Sequence, residues 1–260
     1  MTKLTDTVVP KCPICFDETF LLDVVDLNKN CIESTGFYLP LAGLPIYYSL
    51  CNSCDFCFSP TIYSWTKEDF FKNIYNDEYA QVDPDAYENR PKQNAKFIAN
   101  LCTHELLNID HLDYGGGAGY LSELLASDGF KSHSYDPFNA NEGDSHVLGK
   151  KYNLITAYEV FEHVADIEKL MTDLLALMQT ESLVIFSTLL SDENINKNRR
   201  LTWWYASPRN GHISLFSRKS LSILASRYGL NFGSFSNSVH IFYKKMPEWA
   251  SKIFVQNSGQ

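Results

Sequence analysis

The sequence predicts an α/β protein: a Rossmann-like, mostly parallel sheet with an antiparallel last strand, preceded by a small N-terminal zinc-binding module. Three observations carry that expectation. From Leu106 onward, apolar runs of strand length alternate with stretches of helical periodicity. A glycine-rich stretch, Leu112-Asp113-Tyr114-Gly115-Gly116-Gly117-Ala118-Gly119-Tyr120-Leu121, stands between the first such strand and a helix. Six of the seven cysteines lie within the first 57 residues, four of them as two Cys-x-x-Cys pairs.

The glycine stretch organises the rest. Leu106 to Leu112 suits a buried strand. Tyr120 to Ser127 reads as a helix with Leu121, Leu124 and Leu125 on one face, and Gly129 stands where a C-cap falls. A strand, a glycine turn and a helix N-terminus make a cradle, because backbone can approach a ligand closely and the first helical N–H groups lack helical partners. A dinucleotide fingerprint, Gly-x-Gly-x-x-Gly, fails here: its last glycine would fall at Tyr120 or Ser122. The pattern present is Asp-x-Gly-x-Gly-x-Gly, at Asp113, Gly115, Gly117 and Gly119. It resembles the first motif of class I S-adenosylmethionine-dependent methyltransferases, whose loop passes under the amino-acid end of the cofactor. Glycines alone also suit a tight turn, so the downstream partners decide.

Those partners follow in order. Phe130 to Tyr135 reads as a second strand ending at Asp136, where an acid can accept two hydrogen bonds from a ribose diol; the plainer reading is a turn aspartate before Pro137. Tyr152 to Tyr158 is a strand candidate running into Glu159-Val160-Phe161-Glu162-His163-Val164. That phrase resembles the fourth-strand motif of the same family, an acid and apolar residues followed by Glu-His. A helix over Ile167 to Met178 and a strand over Ser182 to Thr188 come next. The resemblance spans residues 106–245, about half of the chain. It implies S-adenosylmethionine as cofactor and Asp113, Gly115, Gly117, Gly119, Tyr120, Asp136, Pro137 and Glu159 as its contacts.

Composition bounds the remaining classes. The 260 residues hold 45% hydrophobic side chains, enough for a full-sized core. No run approaches the roughly 20 apolar residues of a membrane span, and Met1 to Pro10 lacks a basic-plus-apolar signal pattern. A soluble, cytoplasmic protein is the expectation. The net charge of −9 disfavours electrostatic capture of nucleic acid. Small-molecule partners are expected, with no nucleic acid and no membrane.

Cys12-Pro13-Ile14-Cys15 and Cys51-Asn52-Ser53-Cys54 are two knuckles. Each can present two thiolates to one ion, and two complete a tetrahedral sulfur shell. Sulfur favours Zn²⁺ or iron–sulfur chemistry, and zinc needs no redox partner. Cys12, Cys15, Cys51 and Cys54 are the expected metal ligands; Cys57 extends the second knuckle and could displace one of them. The 35 residues between the knuckles have room for strands at Phe20–Leu27 and Phe37–Leu41. The phrase Cys-x-x-Cys-Asp-Phe-Cys-Phe-Ser-Pro resembles the end of a zinc module that precedes the core in some methyltransferases of nucleotide-linked sugars. Relatives acting on sugar carbon also carry a further C-terminal domain, for which this chain is too short.

The expected organisation is a zinc-binding module at 1–60, connecting helices and a lid at 61–105, the cofactor-binding core at 106–245 and a peripheral tail at 246–260. Within the connection, Thr66 can cap a helix, Tyr79 to Tyr87 reads as an exposed loop, and Lys92 to Glu105 as a long helix. Trp203 to Phe216 is an aromatic loop on the substrate side, and its His212 segment resembles the corresponding part of the Glu-His methyltransferases. Arg199, Arg200 and Arg209 could bind a diphosphate, though such arginines are more often solvated surface residues. Asn231–Ser236 and His240–Lys245 are the last two strands, an antiparallel hairpin.

A sulfonium methyl is already activated, so positioning and water exclusion dominate. An oxygen or carbon acceptor must still lose a proton, and histidine suits that near neutral pH. His163 and His212 are the candidate bases, and Glu159 could orient the cofactor or a base. The functional expectation is methyl transfer to a small polar acceptor, a sugar or nucleotide-linked carbohydrate intermediate. An RNA base methyltransferase with a zinc module, and a non-catalytic cofactor-binding protein of the same fold, are the alternatives.

Overall fold

The computed structural model describes residues 10–102, 108–140 and 144–251. In chain order its elements are β1 (Thr19–Asp26), β2 (Pro45–Cys51), β3 (Cys57–Phe58), α1 (Pro60–Tyr63), α2 (Lys67–Asn73), α3 (Tyr79–Val82), α4 (Asn89–Leu101), β4 (Asp110–Tyr114), α5 (Tyr120–Ser127), β5 (Lys131–Tyr135), α6 (Ser145–Leu148), β6 (Tyr152–Ala157), α7 (Ile167–Leu177), β7 (Met178–Ser187), β8 (Ser214–Leu215), α8 (Arg218–Arg227), β9 (Asn231–Ser234) and β10 (Val239–Tyr243). Short 3-10 helices cover Cys31–Thr35, Phe161–His163 and Pro208–Asn210. The first residues of the strand expected from Leu106, and the end of the helix expected to reach Glu105, fall outside the described residues. Among the described residues no helix is long and apolar enough to cross a membrane.

The chain divides into two compact units, each gathered from several stretches. The first comprises Met1–Val82, Glu162–Ile167 and Leu189–Leu224. Its sheet runs β1-β2-β3-β8, antiparallel throughout. Strand β2 alternates over its first half, with Ile46 and Tyr48 buried while Pro45 and Tyr47 face out, and is buried on both faces from Ser49 to Cys51. The expected strand at Phe37–Leu41 does not exist. Pro40 lacks a ladder donor, and Tyr38 and Leu41 are 70% and 83% exposed. The loop is instead tied to the end of β1, where the Asp26 carboxylate accepts from the N–H groups of Asn28, Ala42 and Gly43 at 2.8–2.9 Å. Thr66 caps α2 in a reciprocal box with Asp69. The stretch expected as an exposed loop from Tyr79 begins as a helix, because Tyr79 and Val82 are buried.

The second unit comprises Asp83–Phe161, Glu168–Thr188 and Ala225–Gln260. Its sheet runs β5-β4-β6-β7-β10-β9. The first four strands are mutually parallel, and β10 lies antiparallel between β7 and β9. The chain leaves β4 to pair β5 on one side, then returns to pair β6 on the other. In open α/β sheets that reversal opens a crevice at the carboxyl ends of the strands. The core is aromatic around β7: Phe161 stacks on Phe186 at 4.1 Å, and Phe186 meets Phe242 at 4.5 Å between ring centroids. Leu121 and Leu125 of α5 pack with Ala95 and Ile98 of α4. Helix α5 ends in a Schellman motif: Gly129, at φ +95°, donates to Ala126 O, and Phe130 donates to Leu125 O, both at 3.0 Å. The segment after Met246, expected to be a peripheral tail, places Trp249 and Ala250 in this same core.

Candidate functional site

In the second unit, the turn after β4 is held in a shape that only glycine adopts freely. Gly115, Gly117 and Gly119 have φ of +75°, +56° and +84°. A Cβ on Gly115 would lie 2.5 Å from Val160 Cγ2, and one on Gly116 would lie 2.4 Å from Ser134 Oγ and 2.5 Å from Asp113 Oδ2. The turn is pinned to the end of β5: Gly115 N–H donates to Tyr135 O at 2.7 Å, and Gly117 N–H donates to Asp136 Oδ2 at 2.9 Å. Asp136 Oδ1 accepts from Phe138 N–H at 2.8 Å. Gly117 and Ala118 remain exposed at the tip, and Gly119 N-caps α5, whose first residue, Tyr120, is half-buried like Pro137.

Beneath the turn runs a buried polar relay that sequence reasoning missed. Thr156 Oγ1 donates to Asp113 Oδ1 at 2.7 Å, so it accepts from His111 Nε2 at 2.9 Å. His111 Nδ1 then accepts from Ser132 Oγ at 2.7 Å, which accepts in turn from Ser122 Oγ at 2.8 Å. Each step follows from the one before, because a hydroxyl that gives its proton to a carboxylate must accept elsewhere. Burial keeps His111 neutral, its pKa lowered to about 3, and pushes the Asp113 carboxyl up to about 7.

A folded pKa above the unfolded one carries a definite sign. Below pH ~4 both states hold the Asp113 proton and nothing is lost. As pH climbs to about 7 the unfolded chain ionises first, so the native state loses a few kcal/mol. Asp113→Asn is therefore expected to stabilise the protein progressively more between pH ~4 and ~7. A melting-temperature difference that is flat with pH would contradict this.

Glu159 ends the chain's run from β6 in a left-handed conformation, φ +54°, rare for a side chain with a Cβ. Its N–H donates to Ser187 Oγ at 2.7 Å, and that hydroxyl donates to Glu159 Oε1 at 2.8 Å. Arg90 Nη1 lies 3.6 Å from Glu159 Oε2, while Arg90 forks onto Asp83 at 2.7 and 3.3 Å. Both carboxylate oxygens thus already have partners, which suits orientation better than proton abstraction. Arg90 and Ser187 gave no sequence signal, being ordinary residue types far from Glu159 in the chain.

In the first unit, Glu162, His163 and His212 bring their donor atoms within 4.8 Å of one another. The imidazoles meet edge to face with centroids 5.0 Å apart. Their approach needs Gly211, at φ +88°: a Cβ there would stand 2.8 Å from His163 Nδ1. The segment is fixed by β8, which pairs with β3, and by Ile213 N–H donating to Glu162 O at 2.8 Å. Tyr48 Oη donates to His212 O at 2.6 Å. Arg209 is neither solvated nor positioned for a diphosphate; it is buried, and its guanidinium donates to Ile74 O and Asn76 Oδ1. Arg200 pairs with Asp23. Trp203 is buried and Trp204 is 43% exposed.

Cys12, Cys15, Cys51 and Cys54 also converge within 4.8 Å, with Cys12 Sγ 3.6 Å from Cys54 Sγ and Cys15 Sγ 3.3 Å from Cys51 Sγ. Phe16 and Asp55, one residue beyond each pair, both take left-handed backbones, the tight turns that aim two thiols one way. The Cys54 hydrogen bond pulls the Cys12 thiol down to about 6, and the same bond pushes the Cys54 thiol up. Four sulfurs so spaced fit one tetrahedral Zn²⁺. Cys57 is not in this group; it sits buried in β3, where burial raises its thiol pKa.

Residues 87–233, more than half of the chain, match the family model described as a methyltransferase domain. No curated protein matches the sequence. Among solved structures, an O-methyltransferase from neocarzinostatin biosynthesis, in complex with S-adenosyl-L-homocysteine and 1,4-dihydroxy-2-naphthoic acid, is 14% identical over 64% of this chain and 59% of its own, with a TM-score of 0.39. The magnesium protoporphyrin IX methyltransferase of Synechocystis PCC 6803 with bound SAH is 16% identical over 70% and 95%, with a TM-score of 0.43. An O-methyltransferase family protein from Burkholderia thailandensis is 13% identical over 72% and 71%, at 0.40. The chain spans less than two thirds of the length of the neocarzinostatin enzyme.

Proposed function

The chain belongs to the methyltransferase-domain family, and from that premise we propose that it transfers a methyl group from S-adenosylmethionine to a small polar acceptor, a nucleotide-linked sugar or another carbohydrate intermediate. The observation that carries the reading is the left-handed glycine turn at the carboxyl end of β4, closed onto Asp136 at the sheet's reversal point. A Cβ at 115 would collide with Val160 and one at 116 with Ser134 and Asp113, so these glycines let the turn pack tightly on its neighbours.

When bound, S-adenosylmethionine supplies a methyl already activated by its sulfonium. Asp136 accepts from the ribose hydroxyls, since a carboxylate keeps acceptor capacity beyond two N–H bonds. Glu159, held by Ser187 and Arg90, orients polar groups of the ligand. His163 and His212 are the proposed proton-handling groups. The His212 Nδ1 proton is committed to Tyr205 O at 2.8 Å, so Nε2 is its basic atom. The cysteine group holds a structural zinc ion. The sugar assignment is supported by the resemblance of the cysteine module to those of sugar methyltransferases and by the exposed Trp204 ring, a face on which a sugar can stack.

The test is calorimetry of S-adenosylmethionine with the full chain. Asp136→Ala removes at least one charge-assisted hydrogen bond worth about 1.5–3 kcal/mol, so affinity is expected to fall at least about 10- to 100-fold. Unchanged affinity would overturn the ribose role. Release of S-adenosylhomocysteine with nucleotide-linked sugars supports the acceptor class; turnover restricted to aromatic hydroxyls would overturn it while keeping methyl transfer.

A further inference from the structure

We infer that Glu162, His163 and His212 form a second metal site, for a divalent transition ion with nitrogen and oxygen ligands, of which Mn²⁺ is the probe. One carboxylate and two imidazoles offer donor atoms that all lie within 4.8 Å of one another. An ion about 2.1 Å from each ligand needs them about 3–3.5 Å apart, so side-chain rotation over an ångström or so closes the shell.

The surroundings are those of a supported ligand set, in which neighbours fix tautomer and orientation. Tyr205 Oη donates to Glu162 Oε1 at 2.6 Å, turning the carboxylate. The backbone oxygen of the same tyrosine accepts from His212 Nδ1 at 2.8 Å. A carbonyl cannot donate, so His212 coordinates through Nε2. His163 Nδ1 lies 3.3 Å from the Tyr75 hydroxyl, which serves as its outer partner. Gly211 lets the loop close onto the His163 ring, where a Cβ would stand 2.8 Å from Nδ1. Glu162 is fully buried and His212 is 5% exposed; a carboxylate so placed is costly unless compensated, and a divalent ion compensates it.

This site differs in kind from the cysteine group. Four thiolates select soft or borderline ions, whereas two imidazoles and a carboxylate also accept harder ions such as Mn²⁺. Three protein ligands leave coordination positions open. Those open positions suit oxygen ligands, vicinal hydroxyls that chelate above all. With an ion bound, both imidazoles are ligands and not free bases, so metal uptake would replace the base role proposed above for His163 and His212.

The experiment titrates the zinc-loaded full chain with Mn²⁺ alone, following free Mn²⁺ by electron paramagnetic resonance. About one Mn²⁺ per chain is expected. Affinity should fall at least ~100-fold in His212→Ala and Glu162→Gln, and about 10-fold in Tyr205→Phe, which removes only an outer hydroxyl and leaves the packing. No uptake by the unaltered chain, or equal uptake by Tyr205→Phe and Glu162→Gln folded as judged by circular dichroism, overturns the proposal. S-adenosylhomocysteine affinity is measured on the same samples. Its absence with Mn²⁺ uptake intact would count against methyl transfer and not against the metal site.

Discussion

Stripping zinc from the cysteine group, or changing Cys54 to Ser, is expected to unfold the strands it joins in the first unit. The two knuckles lie at the same end of the antiparallel β1–β2 pair, where Thr19 faces Cys51: Cys12 and Cys15 precede β1, Cys51 ends β2, and Cys54 follows it. Around them the sheet is thin, with β3 and β8 contributing two residues each. On the zinc proposal, much of the unit's cohesion at that end would come from the ion, since structural zinc binding of about 10–16 kcal/mol is folding free energy in small modules. One equivalent of Zn²⁺ released by a thiol-blocking mercurial, and a melting temperature lower by well over 10 °C after chelation on the order expected for several kcal/mol, are the results anticipated. A metal-free preparation with an unaltered melt would remove the zinc assignment.

The second large effect concerns the histidines. His212→Ala should lower kcat by about 10²- to 10⁴-fold, the usual worth of a positioned proton-transfer group, while the affinity for S-adenosylmethionine stays within about two-fold. His163→Ala should act in the same direction. A loss appearing wholly in KM, with kcat retained, would assign these rings to acceptor binding instead. Dependence of the rate on added Mn²⁺ would separate metal activation from a free imidazole base.

What the sequence shows plainly is what local physics determines. The glycine pattern locates the turn, and helix α5 spans Tyr120–Ser127 as the spacing of Leu121, Leu124 and Leu125 predicts. The knuckles announce themselves because two thiols on one turn have few other uses. Strand Phe37–Leu41 misleads because its apolar residues suggest a strand while Pro40 denies the ladder a donor. Strand β8 is two residues long, too short for any periodicity, yet its pairing with β3 fixes the segment that delivers His212. The His111 relay and the Arg90–Glu159 pair are polar residues joined across the fold, and nothing in the chain's order announces such partners. His163 and His212 are recognisable as chemistry, but their convergence depends on Gly211, an unremarkable glycine until the ring beside it is seen.

The most direct measurement is the structure of the chain with S-adenosylhomocysteine. The account predicts the ribose hydroxyls on the Asp136 carboxylate and the amino-acid end against the backbone of Gly115 to Gly119. A ligand bound elsewhere, with this turn left bare, would contradict it.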